Sequence, residues 1–145
     1  MSDQYLSFVN SPVGQKIAKQ VGLPNPTVLE RYHEGQEFVT GSVMVGTSDG
    51  GRLMPTVANM LKTVSQPVLI NKTDRNYSEA SRVLLNAGVN FHTWETKPSY
   101  KVKAIVFDAT GIKQSDDLKE IYNFFQPIMR STLKCARVVV LGTIP

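Results

Sequence analysis

The chain has 145 residues, room for one domain with a sizeable core, and its 41% hydrophobic and 19% charged content is that of an ordinary globular protein. No apolar run nears the roughly 18 residues of a membrane-spanning helix. The start MSDQYLSFVN lacks the basic and apolar regions of a secretory signal, and a single cysteine, Cys135, rules out an internal disulfide, so a cytoplasmic protein with no membrane partner is expected. The net charge of +4 comes from scattered lysines and arginines, clustered only in KPSYKVK, which points to a solvated surface rather than to nucleic acid.

The N-terminal stretch predicts a helix. Ser11 is placed as its N-cap, Pro12 as its first residue, and Val13, Ile17 and Val21 along one face. Gly22 and the following LPNP stop it. From Val28 to Gly41 runs a polar connector with room for a short edge strand. Residues 1–41 therefore divide from an α/β domain over 42–145.

Alternation then begins. SVMVGT reads as a strand, and Arg52 to Ser65 as a helix with Leu53, Val57, Met60, Leu61 and Val64 on one stripe. PVLIN is the second strand. Ser78 to Ala87 forms a helix facing inward through Ala80, Val83, Leu84 and Ala87, ended by Gly88. VNFHTW is the third strand and KAIVFDATG the fourth. Ser115 is placed as the cap of a long helix with Asp116 and Asp117 in its first turn. Its expected core face is Leu118, Ile121, Tyr122, Phe125 and Ile128, with Pro127 kinking or shortening it. ARVVVLGT is the fifth strand.

Strands apolar along their whole length need cover on both faces. Alternating β and α elements of this kind predict a doubly wound, mostly parallel five-stranded sheet, flavodoxin-like or a degenerate Rossmann fold, preceded by an extra N-terminal helix. Two features depart from regularity. The link ETKPSYKV is shorter than the dozen or so residues of a helical crossover, so the third strand is expected either to be irregular or to pair antiparallel at an edge. The chain also stops just after an apolar strand, which predicts a piece of a longer protein, cut before its last covering helix, over a short domain whose partner fills the gap.

The glycine-rich loop Gly46, Thr47, Ser48, Asp49, Gly50, Gly51 is the first candidate site. It has the glycine spacing of a Walker A loop, but Arg52 and Leu53 stand where Lys and Ser/Thr belong, so the magnesium-binding hydroxyl is missing. The dinucleotide fingerprint G-x-G-x-x-G fails at Ser48. Thr47 and Ser48 suit the phosphate of FMN, whereas Asp49 repels it unless Arg52 compensates. The plainer reading is a tight turn with Asp49 capping the next helix. Asp108, Thr110 and Gly111 form a second candidate, because they follow a strand at the end of the sheet where ligands bind in this fold class; a turn leading into a helix is the plainer reading there too. His33 and His92 lie far apart and make no metal signature. Cys135 and Trp94 read as packing residues. No G-x-S-x-G elbow occurs, and no tyrosine has a lysine four residues on.

YLSFVNSPVGQKIAKQVGLPNPTVLERY, KAIVFDATGI and RVVVLGTIP together resemble the N-terminal portion of the high-molecular-weight 3-oxoacyl-(acyl-carrier-protein) reductases, over nearly the whole chain. The resemblance implies a flavodoxin-like domain preceding a short-chain dehydrogenase domain. That second domain would hold NAD(P)H and the Ser–Tyr–Lys catalytic set, while the first binds no flavin and helps assembly. The chain is also similar to a degraded short-chain dehydrogenase half. Gly46 and Gly50 match the first two glycines of T-G-x-x-x-G-x-G, but Val45 replaces the threonine and Arg52 the last glycine. FDATG stands where N-N-A-G would be, with Asp108 in place of an asparagine.

The expectation is therefore a non-catalytic scaffold or assembly domain with no catalytic residue, cofactor or metal of its own. Its partners would be its own downstream reductase domain, further copies in a homo-oligomer, and acyl carrier protein through the parent enzyme. Two rivals stand beside it. One is a small electron carrier or nucleotide-binding protein using the loop from Gly46 to Gly51; the other, lower-ranked, is a receiver-like domain built on Asp108.

Overall fold

The computed structural model describes residues 4–22, 29–37, 39–95 and 100–143. It separates into two compact units, 1–34 and 35–145. The first holds helix α1 (Gln4–Val9) and helix α2 (Pro12–Val21). Ser11 caps α2 by accepting from the Gly14 amide at 3.1 Å, Pro12 opens it, and Gly22 closes it in the left-handed region at φ 71°. Gly14 and Ala18 are buried, and the stripe of Val13, Ile17 and Val21 is 45–66% exposed. The segment after Gly22 that was expected to stop the helix, LPNP, lies outside the described residues. No strand forms among the described residues of the connector.

The second unit is the α/β domain. Its strands are β1 (Ser42–Thr47), β2 (Val68–Asn71), β3 (Phe91–Trp94), β4 (Val102–Asp108) and β5 (Thr132–Leu141). Its helices are α3 (Met54–Leu61), α4 (Tyr77–Asn86) and α5 (Leu118–Ile128). All five strands run parallel, in the order β3-β2-β1-β4-β5. This is the doubly wound α/β architecture expected of the flavodoxin-like and Rossmann-like class, and within that class the order is the Rossmann one.

The third strand is neither antiparallel nor irregular. It pairs parallel with β2 from Val68↔Phe91 to Asn71↔Trp94. The seven residues between Trp94 and Val102 carry the chain from the carboxyl end of β3 back to the amino end of β4, three strand spacings across and about four residues along, roughly 20 Å. An extended link of that length reaches about 23–25 Å, so no helix is needed. Four of those residues, 96–99, lie outside the described part.

Two cores flank the sheet. On one face α3 and α4 pack over Val43, Val45, Ile70 and Ala104. On the other α5 packs over Met44, Leu69, Ile105 and Phe107, and Trp94 belongs to this core. Phe107 and Phe124 meet with ring centroids 4.7 Å apart, and Phe125 meets Phe124 edge-on at 5.2 Å.

Four expectations change. Helix α3 begins at Met54 rather than Arg52, which rotates its buried stripe to Met54, Val57, Ala58 and Leu61 and leaves Leu53 and Met60 exposed. In α5 the buried residues are Phe124 and Ile128, while Leu118 and Tyr122 face solvent. Ser115 starts a 3₁₀ turn capped by Gln114, whose amide donates to Asp117 Oδ2 at 3.2 Å. Strand β5 starts four residues earlier than Ala136: between Thr132 and Arg137 it bulges opposite Lys103, with Cys135 at φ 55°.

Phe124→Ala is expected to cost about 3–5 kcal/mol in urea denaturation. Met60→Ala, at a site 69% exposed, is expected to stay within about 0.5 kcal/mol.

Candidate functional site

Strands β1 and β4 are neighbours, and the elements that follow them leave for opposite faces of the sheet. Their carboxyl ends therefore form the crevice where ligands bind in doubly wound folds. Both candidate segments meet there. Gly46, Thr47 and Ser48 are buried, and Gly46 lies against the Phe124 ring. The two loops are tied to each other at every level. The Ser48 amide donates to the Asp108 carbonyl at 2.8 Å, and the Ser48 hydroxyl donates to the same oxygen at 3.0 Å. The Gly111 amide donates to Ser48 Oγ at 3.1 Å, and the Arg52 amide to Thr110 Oγ1 at 2.7 Å.

At the centre is the Asp108 side chain, 0% exposed. Its Oδ2 accepts from the Leu53 and Met54 amides, each at 2.7 Å. Its Oδ1 accepts from the Thr110 amide at 3.0 Å and the Thr110 hydroxyl at 2.7 Å. Leu53 and Met54 open α3, whose N-cap position supplies no side-chain bond of its own. The unpaired amides of a helix N-terminus are where a phosphate would bind. Here a carboxylate from β4 takes them, with the favourable sign for the helix dipole.

The expected capping role of Asp49 is thereby corrected. Asp49 is exposed, and its amide donates to Glu120 Oε2 at 2.9 Å. Asp108, sixty residues from the loop in sequence, does the capping because the parallel pairing Thr47↔Asp108 sets it beside the turn. Gly51 and Gly111 allow this closeness. A Cβ at Gly51 would collide with Thr47 Oγ1 and Asp108, and one at Gly111 with the Asp49 carbonyl. A phosphate seated on α3 would have to displace a buried, fully bonded carboxylate. The residues present do not fit a nucleotide or flavin phosphate at that point.

A second group sits beside this junction, on the α5 side. It lines a cavity of about 260 Å³ with Asp74, Arg75, Asn76, Lys119 and Glu120. Asn76 Nδ2 donates to the Thr47 carbonyl at 2.9 Å and to Glu120 Oε2 at 3.1 Å. Asp74 Oδ1 accepts from the Asn76 amide at 2.7 Å. Burial, with a smaller push from the Glu120 charge, raises the Asp74 carboxyl above its ordinary range against the opposing Asn76 bond. Sequence reading passed over these residues. The available signal was NKTDRN, a polar run directly after an apolar strand and so at the ligand-binding end of the sheet.

Among the described residues, no three His, Cys, Asp or Glu side chains gather closely enough to hold a metal ion. His92 stacks on Tyr100 with centroids 5.7 Å apart. No described helix is long and apolar enough to cross a membrane. Compared with known proteins, the chain matches no family model and no curated relative.

Asp108→Ala leaves four donors without their acceptor and is expected to destabilise the fold by about 3 kcal/mol or more in urea denaturation. Asp74 behaves oppositely. Because its folded pKa lies above the ordinary 3.8, its contribution is complete below that pH and is lost as pH rises through the folded value. Asp74→Asn, which still accepts from Asn76, is expected to melt higher than the wild type at pH 7. The difference should vanish near pH 3.5, in melting curves across about pH 3–8.

Proposed function

We propose that this chain is a non-catalytic scaffold and assembly domain of a cytoplasmic 3-oxoacyl thioester reductase. The carrying observation is Asp108, whose carboxylate fills the phosphate position of the crevice with two bonds to α3 and two to Thr110. A domain that retains the doubly wound sheet but closes its own crevice is suited to packing rather than to cofactor chemistry. The reduction of a 3-oxoacyl thioester to its 3-hydroxy product with NAD(P)H belongs, on this reading, to a downstream short-chain dehydrogenase domain. The carrier of the acyl group, acyl carrier protein or coenzyme A, would meet that domain.

The resemblance in GLPNPTVLERY and VFDATGI supplies the parent activity, and the closed crevice supplies the scaffold role. The rival, a small electron carrier or nucleotide-binding protein, needs the loop from Gly46 to Gly51, whose Ser48 amide and hydroxyl are bonded to the Asp108 carbonyl and whose Asp49 amide is bonded to Glu120.

Thermal melting of the chain with FMN, NADH, NADPH or ATP at millimolar concentration tests the reading. No shift is expected with any of them. A ligand present at a hundredfold excess over its Kd would add about 2.7 kcal/mol, and a clear, saturable shift would overturn the scaffold assignment.

A further inference from the structure

The cavity of about 260 Å³ beside the Asp108 junction has walls of both signs. Two carboxylates line it, Asp74 from the loop after β2 and Glu120 from α5, and so do two cations, Arg75 from that loop and Lys119 from α5. Buried Phe107 adds an apolar wall. Opposite charges in one cavity could satisfy each other, but among the described residues neither Arg75 nor Lys119 forms an ion pair with Asp74 or Glu120. Both cations are exposed and both carboxylates half-buried, so the acidic groups lie deeper and the basic ones nearer solvent.

Each carboxylate also keeps one oxygen uncommitted among the described residues. Asp74 accepts from the Asn76 amide through Oδ1 alone. Glu120 accepts from the Asp49 amide and from Asn76 Nδ2 through Oε2 alone. Asn76 therefore holds both groups, and the fold sets where their remaining oxygens stand. Burial and the Glu120 charge keep the Asp74 carboxyl above its ordinary range, and only the Asn76 bond opposes them. The acidic side of the cavity thus lacks a cation. An ammonium, with three donors, can bond Asp74 Oδ2 and Glu120 Oε1 together. A phosphate there would meet like charge. No third His, Cys, Asp or Glu among the described residues joins the pair to hold a metal ion. Arg75 and Lys119 suit the opposite end of the same ligand, since a guanidinium matches a carboxylate.

We propose that this cavity binds a small zwitterion, an ammonium and a carboxylate joined by a short methylene chain. The ammonium sits on Asp74 and Glu120, the carboxylate on Arg75 and Lys119, and the methylenes lie against Phe107. The volume is below the roughly 300–1,000 Å³ of pockets for drug-sized ligands, which suits a molecule of this size. The proposal goes beyond the scaffold reading and does not depend on it, because Asp108 is not among the cavity's walls.

Isothermal titration calorimetry of the chain with glycine, β-alanine, 4-aminobutyrate and 5-aminopentanoate, whose charged ends stand progressively further apart, tests it. At least one is expected to bind saturably at millimolar concentration. Propylamine and propionate, which carry one end each, should bind about tenfold more weakly or less. Asp74→Asn and Glu120→Gln keep an acceptor for Asn76 and lose the charge; Arg75→Gln removes the charge at the other end. Each should weaken binding by about tenfold, with far-UV circular dichroism confirming that the variants are folded. No saturable binding by any of the four zwitterions overturns the proposal. So does binding that propylamine equals, or binding indifferent to all three substitutions. A melting shift with FMN or a nicotinamide cofactor would instead overturn the scaffold reading and leave this site in place.

Discussion

The buried carboxylate of Asp108 is the contact on which this domain's functional end depends. It joins the end of β4 to the start of α3 and to the turn that follows at Thr110. Such a group is stable in the interior only because every bonding position is used: two helix amides, one further amide and one hydroxyl. It also solves a local problem of the sequence. Leu53 at the N-cap position cannot cap a helix, and the donors of α3 would otherwise be buried without partners.

That solution decides what the crevice can do. The strand order and the outward-diverging loops are those of a fold that binds nucleotides, yet the donors a phosphate would use are already taken. Ser48, Thr110 and Gly111 strengthen the closure by bonding across the same gap. On the α5 side, Glu120 and Asn76 tie the loop after β1 to the loop after β2 and to α5. The carboxyl end of the sheet is therefore a set of interlocked turns.

The outward surfaces carry the opposite character. Strand β5 is an edge strand with consecutive valines half-exposed on both its faces, and α5 adds an apolar stripe that its own core does not use. An edge with bare apolar faces is a liability that proteins normally cover. A closed crevice and an open flank are both consistent with the proposed scaffold role.

The alternation of apolar strands and amphipathic helices was legible because burial on both faces leaves continuous runs such as SVMVGT, and single-face burial leaves a period of 3.6. The cap at Ser11 and the stop at Gly22 were legible because capping is local chemistry. Helix α5 was misread because it has two apolar stripes and periodicity cannot say which one meets the sheet; Phe124 does, and Tyr122 does not. Strand β3 was misread because a short link was judged by the usual length of a crossover. The role of Asp108 was hidden for a different reason: the helix amides it caps lie more than fifty residues away. Sequence by itself determined the elements, their periodicity and the glycine turns, since these follow from interactions within a few residues. Only the tertiary structure decided that β4 lies beside β1, and therefore that the Asp108 carboxylate caps the start of α3.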